Sequence, residues 1–166
     1  MPDPAKSIIT LRDLALEPFS QGAFYAGAGA TLGPMLGLKG LGLSYSEVPP
    51  GKSSCPFHNH HVEDEVFVIL SGRGTYRLGA ERLDCKAGDV LGAPAGGPDT
   101  AHQIINTGDE PLIYLAVSTK AKTEVVEYPD SGKVLTKTSD AEGRPVFRQM
   151  VRPTGSLDYW DGEPGS

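Results

Sequence analysis

Three of the four histidines in this 166-residue chain lie within a stretch of four residues, inside the segment CPFHNHHVEDEVFVIL at 55–70. Imidazole nitrogens and carboxylate oxygens are common ligands of divalent transition metals. Side chains two residues apart on a strand point to the same face. An extended backbone would therefore aim His58 and His60 into one space and turn His61 away. The pattern predicts two metal ligands at the spacing that a strand provides.

A carboxylate from the following apolar run is the natural third ligand. Glu65 reaches the face of His60 only if the chain bends between them, and Phe67 and Ile69 then face inward as well. If the strand is turned over, Asp64 faces inward with Val66 instead. Both faces of the run are apolar, so periodicity leaves the choice between Glu65 and Asp64 open.

The fourth histidine, His102, stands alone at the start of a later predicted strand. A lone histidine is more often a core or surface residue than a ligand. Its approach, GDVLGAPAGGPDTAH, is rich in glycine and proline, which indicates a tight turn. We expect that turn to aim the next strand back at the interior.

The elements that must position these residues are short strands. Apolar, often β-branched runs separated by turn residues lie at 42–48, 65–70, 74–79, 81–85, 89–94, 102–107 and 112–118. The runs at 74–79 and 81–85 predict a hairpin around Gly79-Ala80. Strands this short and closely spaced are typical of an all-β antiparallel sandwich or barrel.

The two ends of the chain have weaker patterns. Residues 11–18 predict a short helical turn that Pro18 ends, and residues 19–41 are rich in glycine and alanine with no clear period. One more strand and a turn are expected after Ser118. The last 25 residues or so predict a tail that packs only locally. Its expected anchors are Val146, Phe147, Leu157, Tyr159 and Trp160.

Composition excludes several classes of partner. The chain has 15 basic and 21 acidic residues, a formal net charge of −6, whereas nonspecific nucleic-acid binding needs a basic face. No apolar run reaches the roughly 18 residues of a membrane-spanning helix, and the first residues lack the features of a secretory signal. A cytoplasmic protein without nucleic-acid or membrane partners is expected.

The two cysteines, Cys55 and Cys85, are too few for a disulfide framework. Both are expected to be small apolar residues. On an extended strand, Cys55 and His58 would point to opposite faces. Cys55 is therefore expected at most to contact a ligand residue, not the metal.

The histidine segment has a regular spacing: Gly51, six residues, His58, one residue, His60, four residues, Glu65, six residues, Gly72. It resembles the first motif of the cupin superfamily, whose consensus has five residues after the first glycine.

The segment 88–106 resembles the second cupin motif. It reads Gly88, five residues, Pro94, one residue, Gly96, five residues, His102, three residues, Asn106. The family usually has two residues between the second glycine and the histidine. The longer gap must therefore loop outward and return if His102 is to lie opposite His58.

The resemblance implies a cupin-type jelly-roll barrel, also called a double-stranded β-helix, with short N- and C-terminal extensions. It divides the chain into an N-terminal extension at 1–41, a barrel at 42–120, and a C-terminal strand and tail at 121–166. It also implies a homodimer, because cupins often pair their exposed sheet edges. The metal ligands would be His58, His60, Glu65 and His102, holding a divalent transition metal such as Zn, Mn, Fe or Ni.

The sequence is also similar to small bacterial single-domain cupins of a sugar-phosphate-isomerase-like group, over residues 127–133 and 159–163. The implied function is a metal-dependent enzyme that uses the ion as a Lewis acid on a small sugar-like or keto- or hydroxy-acid substrate, in an isomerase-like reaction. The alternatives are a non-catalytic metal-dependent binding module and an iron-dependent dioxygenase. Polar residues near the expected mouth are Glu63, Asp64, Arg73 and Tyr76, none of them assigned as the general base.

Overall fold

The computed structural model describes residues 7–165, and most of the regular secondary structure among them is antiparallel β-strand. The strands are Glu17–Gln21 (β1), Tyr25–Thr31 (β2), Leu41–Val48 (β3), Asn59–His60 (β4), Glu65–Ser71 (β5), Arg73–Leu78 (β6), Glu81–Lys86 (β7), Val90–Ala93 (β8), His102–Ile105 (β9), Leu112–Thr119 (β10), Thr123–Tyr128 (β11), Lys133–Ser139 (β12) and Pro145–Val151 (β13). One α-helical turn, Leu32–Met35 (α1), and two 3₁₀ turns, Leu11–Asp13 and Pro98–Thr100, complete the elements. The predicted all-β class is confirmed.

Three antiparallel sheets build the fold. A six-stranded sheet runs β1-β2-β3-β10-β5-β8, a three-stranded sheet runs β7-β6-β9, and a four-stranded sheet runs β13-β12-β11-β4. The predicted hairpin at Gly79-Ala80 joins β6 to β7, with Leu78 opposite Glu81. The seven strands predicted between residues 42 and 118 all form, within one or two residues of the predicted ends.

The core lies between the six-stranded and the three-stranded sheets. Alternate side chains from strands β3 and β5–β10 fill it: Val48, Phe67, Ile69, Tyr76, Cys85, Ala93, Ile104, Leu112 and Tyr114. This apolar core lies beside the histidines, with the Phe67 ring 5.5 Å from the His102 ring.

The N-terminal prediction was wrong in part. The helical turn ends at Asp13, and Pro18 lies inside β1, which is an edge strand and so tolerates a residue without an amide hydrogen. The glycine-rich stretch forms β2, which pairs with β3. A Cβ at Gly27 would lie 2.7 Å from the Glu47 carbonyl oxygen, and one at Gly29 would lie 2.8 Å from that of Tyr45. Close approach of two backbones thus explains the glycines and the lack of a side-chain period.

The C-terminal prediction was also wrong in part. The expected strand after Ser118 is β11, but β12 and β13 extend the same sheet where only a tail was expected. The five expected anchors are exposed rather than buried, with exposed fractions from 45% at Phe147 to 83% at Tyr159. Among the described residues, no helix is long and apolar enough to cross a membrane.

Candidate metal centre

Backbone pairing brings the two predicted motifs together. The His58 amide donates to the His102 carbonyl oxygen (3.1 Å), and the His102 amide donates to that of His58 (2.7 Å). The extra residues before His102 form the 3₁₀ turn Pro98–Thr100, which the Thr100 hydroxyl closes on the Gly97 carbonyl oxygen. The longer gap is therefore absorbed in a compact turn, and His102 enters β9 directly opposite His58.

Three imidazole rings surround one carboxylate oxygen. Glu65 Oε2 lies 2.9 Å from His102 Nε2, 3.4 Å from His60 Nε2 and 3.7 Å from His58 Nε2. All four residues come from the two predicted motifs. Three Nε2 atoms and one carboxylate are a donor set that fits a divalent transition ion, and the ligand atoms of His58, His60 and Glu65 all lie within 4.8 Å of one another.

The other ring nitrogens are oriented by the backbone. His58 Nδ1 lies 2.8 Å from the Pro56 carbonyl oxygen, and His102 Nδ1 lies 3.4 Å from that of Thr100. A carbonyl oxygen accepts only from a protonated nitrogen, so these contacts place the proton on Nδ1. Once deprotonated, the Nε2 atoms would present their lone pairs to the centre, which is the usual arrangement of metal-binding histidines.

His60 differs from the other two histidines. Its Nδ1 is buried and has no hydrogen-bond partner within the described part of the chain. It faces two carboxylates, with Glu124 Oε2 at 3.6 Å and Glu63 Oε2 at 3.8 Å. Glu124 is completely buried and accepts the amide hydrogens of residues 61, 62, 63 and 125. It thereby holds the bend that carries the chain from His60 to Glu65.

That bend decides between the two acidic candidates. Glu65 faces inward with Phe67 and Ile69, both buried, as the first alternative required. Asp64 faces outward and accepts the Ala95 amide hydrogen at 2.8 Å. His61 points away from the centre, as predicted, and lies 3.4 Å from the Glu127 carboxylate.

Interactions within the cluster shift the pKa values of His58 and Glu65 in opposite directions. Burial alone would lower the pKa of His58, but hydrogen bonds to the Cys55 side chain, Glu65 and the Pro56 carbonyl raise it to about 10. Burial alone would raise the pKa of Glu65, but the three histidines hold it far below its usual range. These shifts favour a carboxylate and at least one cationic ring in the cluster.

The four polar residues expected near the mouth have other roles. Arg73 pairs with Asp109 at the exposed end of β6, and the Tyr76 hydroxyl donates to the Gly92 carbonyl oxygen. Glu63 accepts the Ala121 amide hydrogen and pairs with Lys137. These contacts occupy the groups, so none of them lies free above the centre.

Sequence reasoning missed two residues beside the centre. Tyr128 stacks on His58 with ring centroids 6.0 Å apart, and burial raises the pKa of its hydroxyl. Glu124 is the buried carboxylate described above. Both lie on β11, where Glu124, Val126 and Tyr128 alternate on one face, so an acidic residue in phase with a buried valine was the available signal.

Comparison with known proteins agrees with this geometry. A family model described as a cupin domain matches residues 44–118. The chain is 35% identical over 94 residues to an uncharacterized protein of Methanocaldococcus jannaschii, covering 54% of this chain and 73% of that one. The chain belongs to the cupin superfamily. This cupin is also 39% identical over 71 residues to an oxalate-binding protein of Thermotoga maritima, covering 43% of this chain and 55% of the relative.

Solved structures extend the similarity beyond the barrel. A protein of Acidithiobacillus ferrooxidans, provisionally described as a sugar phosphate isomerase, superimposes with a TM-score of 0.75 at 27% identity, covering 87% of this cupin and 91% of that chain. A cupin of Silicibacter pomeroyi described as a sugar phosphate isomerase gives 0.68 at 28% identity, covering 81% and 82%. The jelly-roll fold predicted from the two motifs is confirmed.

Proposed function

We propose that this cupin is a metal-dependent enzyme that acts on a small, oxygen-rich substrate in an isomerase-like reaction. The observation that carries the proposal is the convergence of three Nε2 atoms on one oxygen of Glu65, at 2.9–3.7 Å. Four protein ligands leave open positions on a six-coordinate ion, as in catalytic rather than closed structural sites. The substrate class is a sugar-like molecule or a keto or hydroxy acid.

Each residue of the centre has a distinct part. His58, His60, His102 and Glu65 would hold the ion, which supplies Lewis-acid polarisation of a carbonyl or hydroxyl oxygen. The rings of Phe67 and Tyr76 lie 5.5 and 6.5 Å from the His102 ring and keep water from that side.

Proton transfer falls to the residues beside His58. The Tyr128 hydroxyl stays protonated at neutral pH, because burial raises its pKa. The Cys55 side chain hydrogen-bonds His58. An isomerase needs a group that gives a proton to one substrate atom and takes one from another, and Tyr128 and Cys55, which both contact His58, are the candidates. These two polar side chains beside the centre favour catalysis over simple binding.

The named relatives support the substrate class. Two structural neighbours are described as sugar phosphate isomerases, one of them provisionally. A sugar phosphate in its open-chain form has adjacent oxygens that can chelate one ion, and so does a small dicarboxylate.

A non-catalytic binding module is the second candidate. The oxalate-binding relative and the structural engagement of Glu63 and Tyr76 favour it. The cupin would then hold a small chelating anion without turnover.

Elemental analysis of untagged protein, followed by assays of the metal-loaded form, tests the proposal. We expect about one divalent transition ion per chain, and interconversion of an aldose and a ketose phosphate that stops after chelation. Oxygen consumption with iron loaded would instead favour the dioxygenase alternative. Tight binding of a substrate analogue without turnover, in every metal form, would favour the binding module.

A further inference from the structure

Arg77, on strand β6, contacts two parts of the chain that flank the metal centre. Its guanidinium donates to both carboxylate oxygens of Asp130, with Nη1 2.6 Å from Oδ2 and Nη2 2.8 Å from Oδ1. The same group lies over the ring of Phe57, 3.6 Å from the ring centroid. Phe57 directly precedes His58, and Asp130 lies in the turn between β11 and β12. A planar fork that also stacks on a ring fixes both partners in direction as well as in distance.

The turn between β11 and β12 links Asp130 to Tyr128. The Tyr128 carbonyl oxygen accepts the amide hydrogens of Ser131 and Gly132, at 3.0 and 2.9 Å, and these bonds close the turn around Asp130. Both bonds lie within the hairpin, so they make it one unit without attaching it to the barrel. Arg77 attaches that unit to a second sheet, because β6 belongs to the three-stranded sheet and β11 and β12 to the four-stranded one.

The ring of Tyr128 depends on this attachment for its place beside the centre. It stacks on His58 with ring centroids 6.0 Å apart and an angle of 26° between the planes. Favourable aromatic pairs span about 4.5–7 Å, so this is a long and weak contact by itself. The backbone that carries the two rings must therefore hold them together, and Arg77 contacts that backbone's side chains on both sides.

A second arginine on the same strand provides a comparison. Arg73 pairs with Asp109, but the side chains are 69% and 81% exposed, whereas those of Arg77 and Asp130 are 22% and 54% exposed. Partly buried charges are screened less by salt than exposed ones. The contact next to the centre is thus the more strongly held of the two.

We propose that Arg77 is a positioning residue that holds the ring of Tyr128 against His58. The inference rests on the proposed function, in which the Tyr128 hydroxyl gives a proton to the substrate beside the ion. A proton donor must lie within hydrogen-bond distance of the atom that receives the proton, and a displacement of about 1 Å can slow a reaction about 100-fold. Arg77 acts through Tyr128 and takes no part in the proton transfer itself.

Nuclear magnetic resonance of the metal-free protein tests the position of the ring directly. We expect Overhauser contacts between the ring protons of Tyr128 and His58, and their loss in Arg77→Ala and in Asp130→Ala. Arg77→Lys should keep part of the contact, because it retains the charge without the planar fork. Arg73→Ala is the matched control and should leave the contact intact.

Turnover of an aldose phosphate by the metal-loaded protein tests the consequence. Arg77→Ala should lower kcat several-fold with unchanged metal content, and Tyr128→Phe should lower it further. The double variant should be no slower than Tyr128→Phe alone, because a residue that acts only through the hydroxyl has no effect once the hydroxyl is gone.

Three results would overturn the role of Arg77: a ring contact retained in Arg77→Ala, an equal loss in Arg73→Ala, or additive losses in the double variant. A protein that binds no metal would refute the proposed function instead, and the ring contact in the metal-free protein would still decide whether Arg77 positions Tyr128. Circular dichroism checks that every variant keeps the fold, as expected because solvent-exposed ion pairs contribute little to global stability.

Discussion

His60 is the residue on which the candidate centre depends most. Its Nε2 faces Glu65 and its Nδ1 faces two further carboxylates, while none of the core side chains relies on it. We expect His60→Ala to weaken metal binding by more than the 10–100-fold typical of losing an outer-layer partner. Its thermal unfolding without metal should change little. His61→Ala is the matched control, because that ring lies outside the cluster. Unfolding of His60→Ala with unchanged metal content would show a purely structural histidine.

We expect His58 to set the pH dependence of metal binding. Metals bind the neutral ring, and an ordinary histidine would oppose binding only below about pH 6.5. Burial lowers the pKa of His58, but Cys55 and Glu65 together raise it to about 10. An ion that binds His58 would therefore have to displace a proton at neutral pH.

Metal affinity should rise about tenfold per pH unit between roughly pH 6.5 and 10, and level off above that range. Competition with a chromophoric chelator at several pH values measures the slope, and His61→Ala should keep it. An affinity independent of pH from 7 to 9 would contradict the assignment of that proton.

At the scale of elements, β11 supports the bend between β4 and β5. Glu124 is fully buried and accepts four backbone amide hydrogens there. Glu124→Gln replaces one acceptor oxygen by a donor that faces other donors, which should cost about 2–3 kcal/mol in the free energy of unfolding. Urea denaturation measures the loss, and Glu81→Gln on the exposed strand β7 should cost less than about 0.5 kcal/mol. Equal stability of the two variants would show that the bend does not need the carboxylate.

The turn between β5 and β6 requires a glycine for two reasons. Gly72 has a φ of +82°, and a Cβ there would lie 2.5 Å from the Pro111 carbonyl oxygen. Gly51 has a similar φ of +75° with nothing within 4 Å of such a Cβ. Gly51→Ala should therefore cost about 1 kcal/mol, and Gly72→Ala about 3 kcal/mol or more because backbone must also move. Denaturant titrations compare the two, and equal losses would mean that the close approach has no cost.

At the scale of the whole molecule, one edge of the four-stranded sheet is uncovered. All seven residues of β13 are exposed, including Val146, Phe147, Met150 and Val151. An exposed, apolar edge strand is a template for pairing with another chain. We expect a homodimer formed through β13, detected by sedimentation at micromolar concentration.

Phe147→Asp should shift this dimer toward monomer without loss of metal. Phe19→Asp places the same change on β1, an edge strand of the six-stranded sheet, and should leave the dimer intact. A wild-type protein that sediments as a monomer would refute the prediction. A dimer sensitive only to Phe19→Asp would move the interface to β1.

The sequence by itself determined the barrel strands and identified four candidate ligands. Alternation, β-branched runs and turn residues are local signals, and the seven predicted strands between residues 42 and 118 have them. His58 and His60 share a face because of strand parity alone. The cupin motifs added Glu65 and His102 to the predicted ligands.

Only the tertiary structure decided which acidic residue faces inward and what surrounds the histidines. Glu65 rather than Asp64 turns inward because Glu124, 59 positions later than Glu65 in the chain, binds the bend before it. Strand β2 was missed because its glycines serve close backbone approach to β3, which leaves no side-chain period. Tyr128 and Lys133 come together through the register of β11 and β12. Contacts of the first two kinds join residues that are distant in sequence, and no local pattern encodes them.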